Sequence, residues 1–183
     1  LRLRQVVQRF QQGGAVVPRR VLRRLGDVVA LERGDRDVQR VVGVELDLLE
    51  ELVDLLIACH ELRLNDRAAV LDAVVTREKS MSTGLEHGLA VPHGSADCVS
   101  EIVVAMGTSF GVPFDSVDGK PAQLIILLVI PKNKFERHVQ TLSGIARLAR
   151  NQDLRERIYS ATSPEDIMAA IYEYEEREES AGG

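Results

Sequence analysis

The chain has 183 residues, 45% of them hydrophobic and only 4% aromatic, with a formal net charge of -5. This size and composition fit one compact domain with an aliphatic core plus an extension. The longest apolar run, residues 124–130, is far shorter than the roughly 20 residues of a membrane-spanning helix, and no signal peptide is recognisable. We therefore expect a cytoplasmic protein with no membrane span, and free thiols at Cys59 and Cys98.

Residues 1–40 form a basic N-terminal extension or linker. They contain ten arginines and four acidic residues, which leaves thirteen basic and twenty-four acidic residues in the rest of the chain. A basic arm can bind nucleic acid, but this one has a single aromatic residue, Phe10, and no recognition-helix motif. Nucleic acid is therefore not an expected partner, and a solvated arm or an inter-domain helix is the favoured interpretation.

The first predicted elements are two helices and a strand. Apolar spacing predicts a helix over residues 3–10, and Pro18 begins a second helix that closes at Gly26. Valines at positions 38, 41, 42 and 44 favour a strand. Leucines at helical spacing predict a helix over 45–59, and Asn65 is expected to cap the next helix, which continues through residue 75.

The second half of the chain alternates predicted strands and helices. Strands are expected near 89–91, 102–106 and 122–130, the last with the continuous apolar character of a central strand buried on both faces. The stripe from Phe135 to Ala149 predicts a helix packed on the sheet. Ser163-Pro164-Glu165-Asp166 is a helix start, the final helix runs to about Glu176, and residues 177–183 form a polar tail.

The most informative residue is His93, which stands between Pro92 and Gly94 after a short apolar strand. We interpret this setting as one that presents the imidazole at the surface. Histidine is uncharged part of the time at neutral pH, so it can act as a nucleophile toward a phosphoryl group. Gly94 would allow a bulky anion or a second protein to approach closely. From these three residues alone, a surface turn with an incidental histidine is the alternative.

Residues upstream of His93 suit a transient dianion. Arg77 and Lys79 supply positive charge, while Ser82 and Thr83 supply hydroxyls and backbone N–H groups close to two glycines. We therefore predict that Ser82, Thr83 and Gly94 contribute to phosphate binding.

The segment from Arg77 to Gly94 reads Arg-Glu-x-x-x-Ser-Thr-Gly-x-x-x-Gly-x-Ala-x-Pro-His-Gly. It resembles the active-site signature of the type-2 enzyme IIA domains of the bacterial phosphoenolpyruvate-dependent phosphotransferase system, the fructose, mannitol and nitrogen-regulatory group. The resemblance extends from about Leu46 to about Tyr174, with further matches at Pro113–Asp115, Val117–Ala122, Leu127–Pro131 and His138–Ser143.

This resemblance implies an α/β domain over residues 41–176, with a central mixed β-sheet flanked by helices on both faces in the mannitol- and fructose-like IIA fold. It implies that His93 is phosphorylated, that His138 hydrogen-bonds the phosphoryl group, and that Arg77 lies near the site. Without the resemblance, a histidine on the apolar stripe of a helix is more often a core or boundary residue. Two departures from the pattern are Met81, where glycine is usual, and Glu86, which would place a carboxylate near the phosphate.

The implied activity is phosphotransfer through a phosphohistidine, with an HPr-like phosphocarrier protein as donor. The acceptor is either a IIB component of a sugar transporter or, in a nitrogen-type regulatory module, no sugar at all but a transporter, kinase or other target protein. No cofactor is expected. A metal site at His87, His93 and His138 is disfavoured because no carboxylate or cysteine stands at a motif spacing. Neither a Gly-x-Ser-x-Gly elbow nor a nucleotide-binding loop occurs.

Overall fold

The computed structural model describes residues 15–17, 37–133, 135–161 and 163–181, with side chains from residue 45 onward except at 134–138, 140, 162, 164, 179 and 181. The helices predicted over 3–10 and 18–25 lie outside the described residues. Nothing in the described part of the chain is both long enough and apolar enough to be a membrane-spanning helix.

Five strands form one mixed sheet, as predicted. The central strand β5 pairs antiparallel with β4 on one side. On its other side β5 pairs parallel with β2 and then β3, which follow one another along the same edge. The strand β1 pairs parallel with β4 and forms the opposite edge. The strands are β1 (Ala15–Val17), β2 (Leu89–Ala90), β3 (His93–Ala96), β4 (Val103–Val112) and β5 (Ala122–Pro131).

Helices cover both faces of the sheet, and β5 supplies apolar side chains to both resulting cores. Ile125, Leu127 and Val129 pack with the first two helices, while the alternate residues of β5 pack with the last three. The prediction of a central strand buried on both faces is confirmed. The helices are α1 (Asp37–Ala58), α2 (Arg67–Ser80), α3 (Phe135–Arg150), α4 (Gln152–Ser160) and α5 (Pro164–Ala181).

Local signals predicted the ends of several elements. The helix expected over 135–149 is α3. At the start of α5, Ser163 Oγ accepts from the Asp166 N–H at 3.1 Å, and Asp166 accepts from the Ser163 N–H. This reciprocal pair satisfies two backbone donors that a helix start leaves unpaired, which is why the sequence signal was reliable.

Three predictions of local structure were wrong. Residues 38–44 belong to α1 and not to a strand, because the helical pattern of the following leucines extends back through the valines. Asn65 lies inside a 3₁₀ turn, Leu64–Asp66, and Asp66 occupies the N-cap position of α2. The final helix continues past residue 176 to Ala181.

Two elements were absent from the sequence interpretation. The helix α4 begins after Asn151, whose side chain accepts from the Leu154 N–H at 2.9 Å. The strand β1 lies inside the segment predicted as an extension, and its Ala15 is in register with Ala105 of β4. Part of the basic segment therefore pairs with the sheet.

Candidate functional site

The position of His93 follows from the pairing of β3 with β5. His93 is the first residue of β3 and is in register with Leu128, which belongs to the core under α3, α4 and α5. Gly94 is in register with Val129, which belongs to the core under α1 and α2. Because side chains alternate across a strand, His93 projects toward the face that carries α3.

The ring of His93 is held by a hydrogen bond to the backbone. Its Nδ1 lies 2.9 Å from the carbonyl oxygen of Val91. A carbonyl can only accept, so Nδ1 carries the proton and Nε2 carries the lone pair. The arrangement therefore places the lone pair of the neutral ring on Nε2.

His93 is more buried than the sequence interpretation supposed. Only 9% of its surface is exposed, because the residue begins a strand paired with β5 and does not stand in a free surface turn. Burial is the main cause that lowers the pKa of His93 below its ordinary value, and the positive charge of Arg77 lowers it further. The Val91 carbonyl and the negative charge of Glu78 oppose these effects. A lowered pKa keeps the imidazole neutral, which a nucleophile requires.

Arg77 lies in the last turn of α2, close enough to His93 for its charge to act on the ring. Its Nη1 donates to the carbonyl oxygen of Met81 at 2.8 Å, so one end of the guanidinium is tied to the segment that follows the helix. A guanidinium carries five N–H donors in a fixed plane. The contact with Met81 uses one of these donors, and the positive charge of the guanidinium acts on His93.

The segment after α2 is attached to the helix through Glu78. Thr83 donates its backbone N–H to Glu78 Oε1 at 2.7 Å and its hydroxyl to Glu78 Oε2. Thr83 is also buried, with 5% of its surface exposed. Its two donors are therefore engaged, which departs from the prediction that they bind phosphate. Ser82 is half-buried, and its Oγ accepts from the Gly84 N–H at 3.1 Å, so its own hydroxyl proton is not used in that contact.

Gly94 is needed for helix packing. A Cβ atom at this position would lie 2.8 Å from the backbone N of Val74 and 2.9 Å from the carbonyl C of Ala73, both in α2. The close approach that we expected from an anion or a second protein is thus made by α2 itself. The side of Gly94 that faces this helix has no room for phosphate.

His138 is the fourth residue of α3, a helix that begins just after β5 ends at Pro131. Its backbone therefore lies near the end of the strand that pairs with β3. The side chain of His138 lies outside the described residues, so its hydrogen bond to a phosphoryl group stays a prediction.

From the sequence, an apolar rim for docking a partner protein is expected at Met81, Leu85, Leu89 and Phe135. This rim is only partly present. Met81 exposes 69% of its surface, and Leu85 is half-buried. Leu89 is 1% exposed because it packs in the core, so its assignment to a docking rim was wrong. The side chain of Phe135 lies outside the described residues. Val139, which the sequence interpretation missed, is 49% exposed on α3.

Glu86 and His87 lie at the tip of a hairpin and not beside His93. Gly84 pairs antiparallel with Ala90, and the Leu85 N–H donates to the Leu89 carbonyl at 2.7 Å. The hairpin tip is therefore on the far side of β2 from His93. The sequence expectation that Glu86 places a carboxylate near the phosphate was wrong. Leu89 and His93 lie four residues apart along β5, and Glu86 lies beyond Leu89.

Sequence reasoning also missed two acidic residues near the site. Glu45 in α1 lies close enough to both Glu78 and Asp115, in the loop after β4, for their charges to act on it. Burial is the first cause that raises the pKa of Glu45 to about 7, and its contacts with Glu78 and Asp115 raise it further. The sequence does not show that these three carboxylates lie near one another, because they come from three separate elements. Across the described residues, no group of three or more His, Cys, Asp or Glu side chains could hold a metal ion.

The family model for the phosphoenolpyruvate-dependent sugar phosphotransferase system EIIA 2 matches residues 41–174. This chain therefore belongs to the type-2 EIIA family, and it has the mixed sheet and flanking helices of that fold. Membership assigns it a role in phosphotransfer.

Two curated relatives represent different branches of the family. The fructose-specific EIIA component of Haloferax volcanii is 34% identical over 152 residues, which cover 75% of this chain and 97% of that protein. A nitrogen regulatory protein of Pseudomonas aeruginosa is 32% identical over 130 residues, which cover 70% of this chain and 83% of that protein. The chain is thus similar to both a sugar-specific component and a regulatory protein.

Solved structures give the same fold. The nitrogen regulatory protein IIA-Ntr from Neisseria meningitidis superposes with a TM-score of 0.62 at 33% identity and covers 69% of this chain and 85% of that one. IIA mannitol from Escherichia coli superposes with a TM-score of 0.59 at 21% identity, covering 69% of this chain and 88% of that one. At that identity, the second match supports the fold alone.

Proposed function

We propose that His93 Nε2 accepts a phosphoryl group from the phosphohistidine of an HPr-like phosphocarrier protein. The hydrogen bond from Nδ1 to the Val91 carbonyl carries this proposal, because it fixes the tautomer that leaves the lone pair on Nε2. The lowered pKa of the ring supports it as well, since the nucleophile must be neutral.

In the transfer, the lone pair of His93 Nε2 forms a new N–P bond while the N–P bond of the donor histidine breaks. The electron pair of the broken bond returns to the donor ring, which leaves as neutral imidazole. The proton on His93 Nδ1 stays in place, so the phosphorylated ring is cationic and the Val91 carbonyl stabilises it. Arg77, with its adjacent charge, stabilises the oxygens of the transferring group.

The direct test is labelling of the purified chain with radioactive phosphoenolpyruvate, enzyme I and HPr. We expect acid-labile label on the parent and none on His93→Ala. An unlabelled parent would eliminate the carrier function, and equal labelling of His93→Ala would move the phosphorylation to another residue. His138→Ala should slow labelling without abolishing it, and an unchanged rate would remove the role proposed for His138.

The fate of the phosphoryl group separates two versions of this function. The chain is similar to a fructose-specific EIIA component, which favours transfer to a IIB component of a sugar transporter. It is also similar to nitrogen regulatory proteins, which favours a phosphorylation state that changes the affinity for a target protein. Sugar-dependent loss of label to a purified IIB component supports the first version. A stable phosphoprotein with altered affinity for a partner supports the second.

A further inference from the structure

Glu78 is a buried carboxylate that contacts Thr83, in the segment between α2 and His93. It lies in the last turn of α2 with 9% of its surface exposed, and both of its oxygens accept hydrogen bonds from Thr83. A bidentate carboxylate on a backbone N–H and a hydroxyl holds one loop residue in a single position. Neither donor of Thr83 can reorient while Glu78 remains there.

Two further hydrogen bonds connect Thr83 to His93. The carbonyl oxygen of Thr83 accepts from the Val91 N–H at 3.1 Å. The carbonyl oxygen of Val91 then accepts from His93 Nδ1 at 2.9 Å. One continuous path therefore runs from the Glu78 carboxylate to the nitrogen that fixes the tautomer of the ring.

We propose that Glu78 is a positioning residue for the acceptor nitrogen of His93. The inference rests on the proposed function of His93. It adds a buried carboxylate that takes no part in the transfer step itself.

The first test addresses Glu78 through its partner Thr83, so that it does not depend on the folding of a Glu78 variant. Thr83→Val removes the hydroxyl donor at similar volume, and Thr83→Ser retains both donors. We expect Thr83→Val and Glu78→Gln to lower the labelling rate by about ten-fold, with Thr83→Ser close to the parent. Parental rates in both Thr83→Val and Glu78→Gln would overturn the positioning role.

A nitrogen-15 NMR measurement of the ring separates positioning from general destabilisation. At a pH where the variant is fully folded, Thr83→Val should show a smaller fraction of the Nδ1–H tautomer at His93 than the parent, and an unchanged tautomer ratio would contradict the proposal. An unlabelled parent would instead reject the proposed function. If the parent is labelled but the substitutions change neither the labelling rate nor the tautomer ratio of His93, only the positioning role of Glu78 is rejected.

Discussion

The carbonyl oxygen of Val91 lies 2.9 Å from Nδ1 of His93 and accepts a hydrogen bond from it. Val91 directly follows β2, and His93 begins β3. This contact decides which nitrogen of the neutral His93 ring carries the lone pair, and so which nitrogen would act as nucleophile in the proposed transfer.

The buried position of His93 predicts a titration midpoint below the ordinary value for histidine, since burial lowers its pKa. The folded state then binds fewer protons than the unfolded state below about pH 6.5. Stability should therefore fall as pH decreases through that value, and the neutral nucleophile should persist at mildly acidic pH. An NMR titration measures the midpoint, with His93→Ala to assign the resonance. A midpoint at or above the ordinary value would contradict the burial of the ring.

Glu45 predicts the opposite dependence below neutral pH, because burial raises its pKa to about 7 from its ordinary value of 4.5. Between these values the folded state holds a proton that the unfolded state has lost, so stability falls as pH rises from about 4.5 to 7. Because Glu45 is only half-buried, solvent screening reduces the effect to about 1 kcal/mol.

Urea unfolding of the parent and of Glu45→Gln at pH 5 and pH 8 tests this dependence. The parent should lose about 1 kcal/mol more than the variant between the two pH values. An equal loss in both proteins would show that Glu45 ionises normally in the folded state.

A feature of the fold or of the site could be predicted from the sequence only where a few consecutive residues determine it. The apolar run of β5 and the cap at Ser163 are contained in a few consecutive residues, and the structure agrees with both. The burial of His93 depends on the pairing of β3 with β5, and the Glu45–Glu78 contact joins two helices. Such long-range pairings leave no periodic pattern in one sequence, so the residues that surround and bury His93 could not be predicted from it.

Arg77 is expected to contribute both charge and geometry to the transfer. Arg77→Ala should lower the labelling rate of His93 by about 100-fold, the usual cost of removing a donor that stabilises developing charge. Arg77→Lys keeps the charge but loses the planar fork that also reaches the Met81 carbonyl, so its rate should fall between the two. Single-turnover labelling at saturating phospho-HPr measures the effect without a contribution from docking. If Arg77→Ala is labelled at the rate of the parent, Arg77 does not contribute to the transfer.

Gly94→Ala should destabilise the protein by about 1–3 kcal/mol, because the added methyl group would overlap the backbone of Ala73 and Val74. Backbone atoms of a helix cannot move aside as a flexible side chain can. Ser95→Ala, at the exposed neighbouring position of β3, is the matched control and should change stability by less than about 0.5 kcal/mol. Thermal unfolding compares the two variants, and equal stabilities would show that α2 does not lie closely against β3.

Glu86→Gln should leave the rate of phosphoryl transfer within about two-fold of the parent, despite the proximity of Glu86 to His93 in sequence. Leu89 and His93 are in register with Leu124 and Leu128 of β5, and four residues of strand span roughly 13 Å. Glu86 lies beyond Leu89, and its side chain is 61% exposed. At physiological salt, exposed charges interact weakly over more than about 8 Å. Single-turnover labelling at saturating donor is the measurement, and a clear acceleration in Glu86→Gln would mean that the hairpin tip approaches the phosphoryl group.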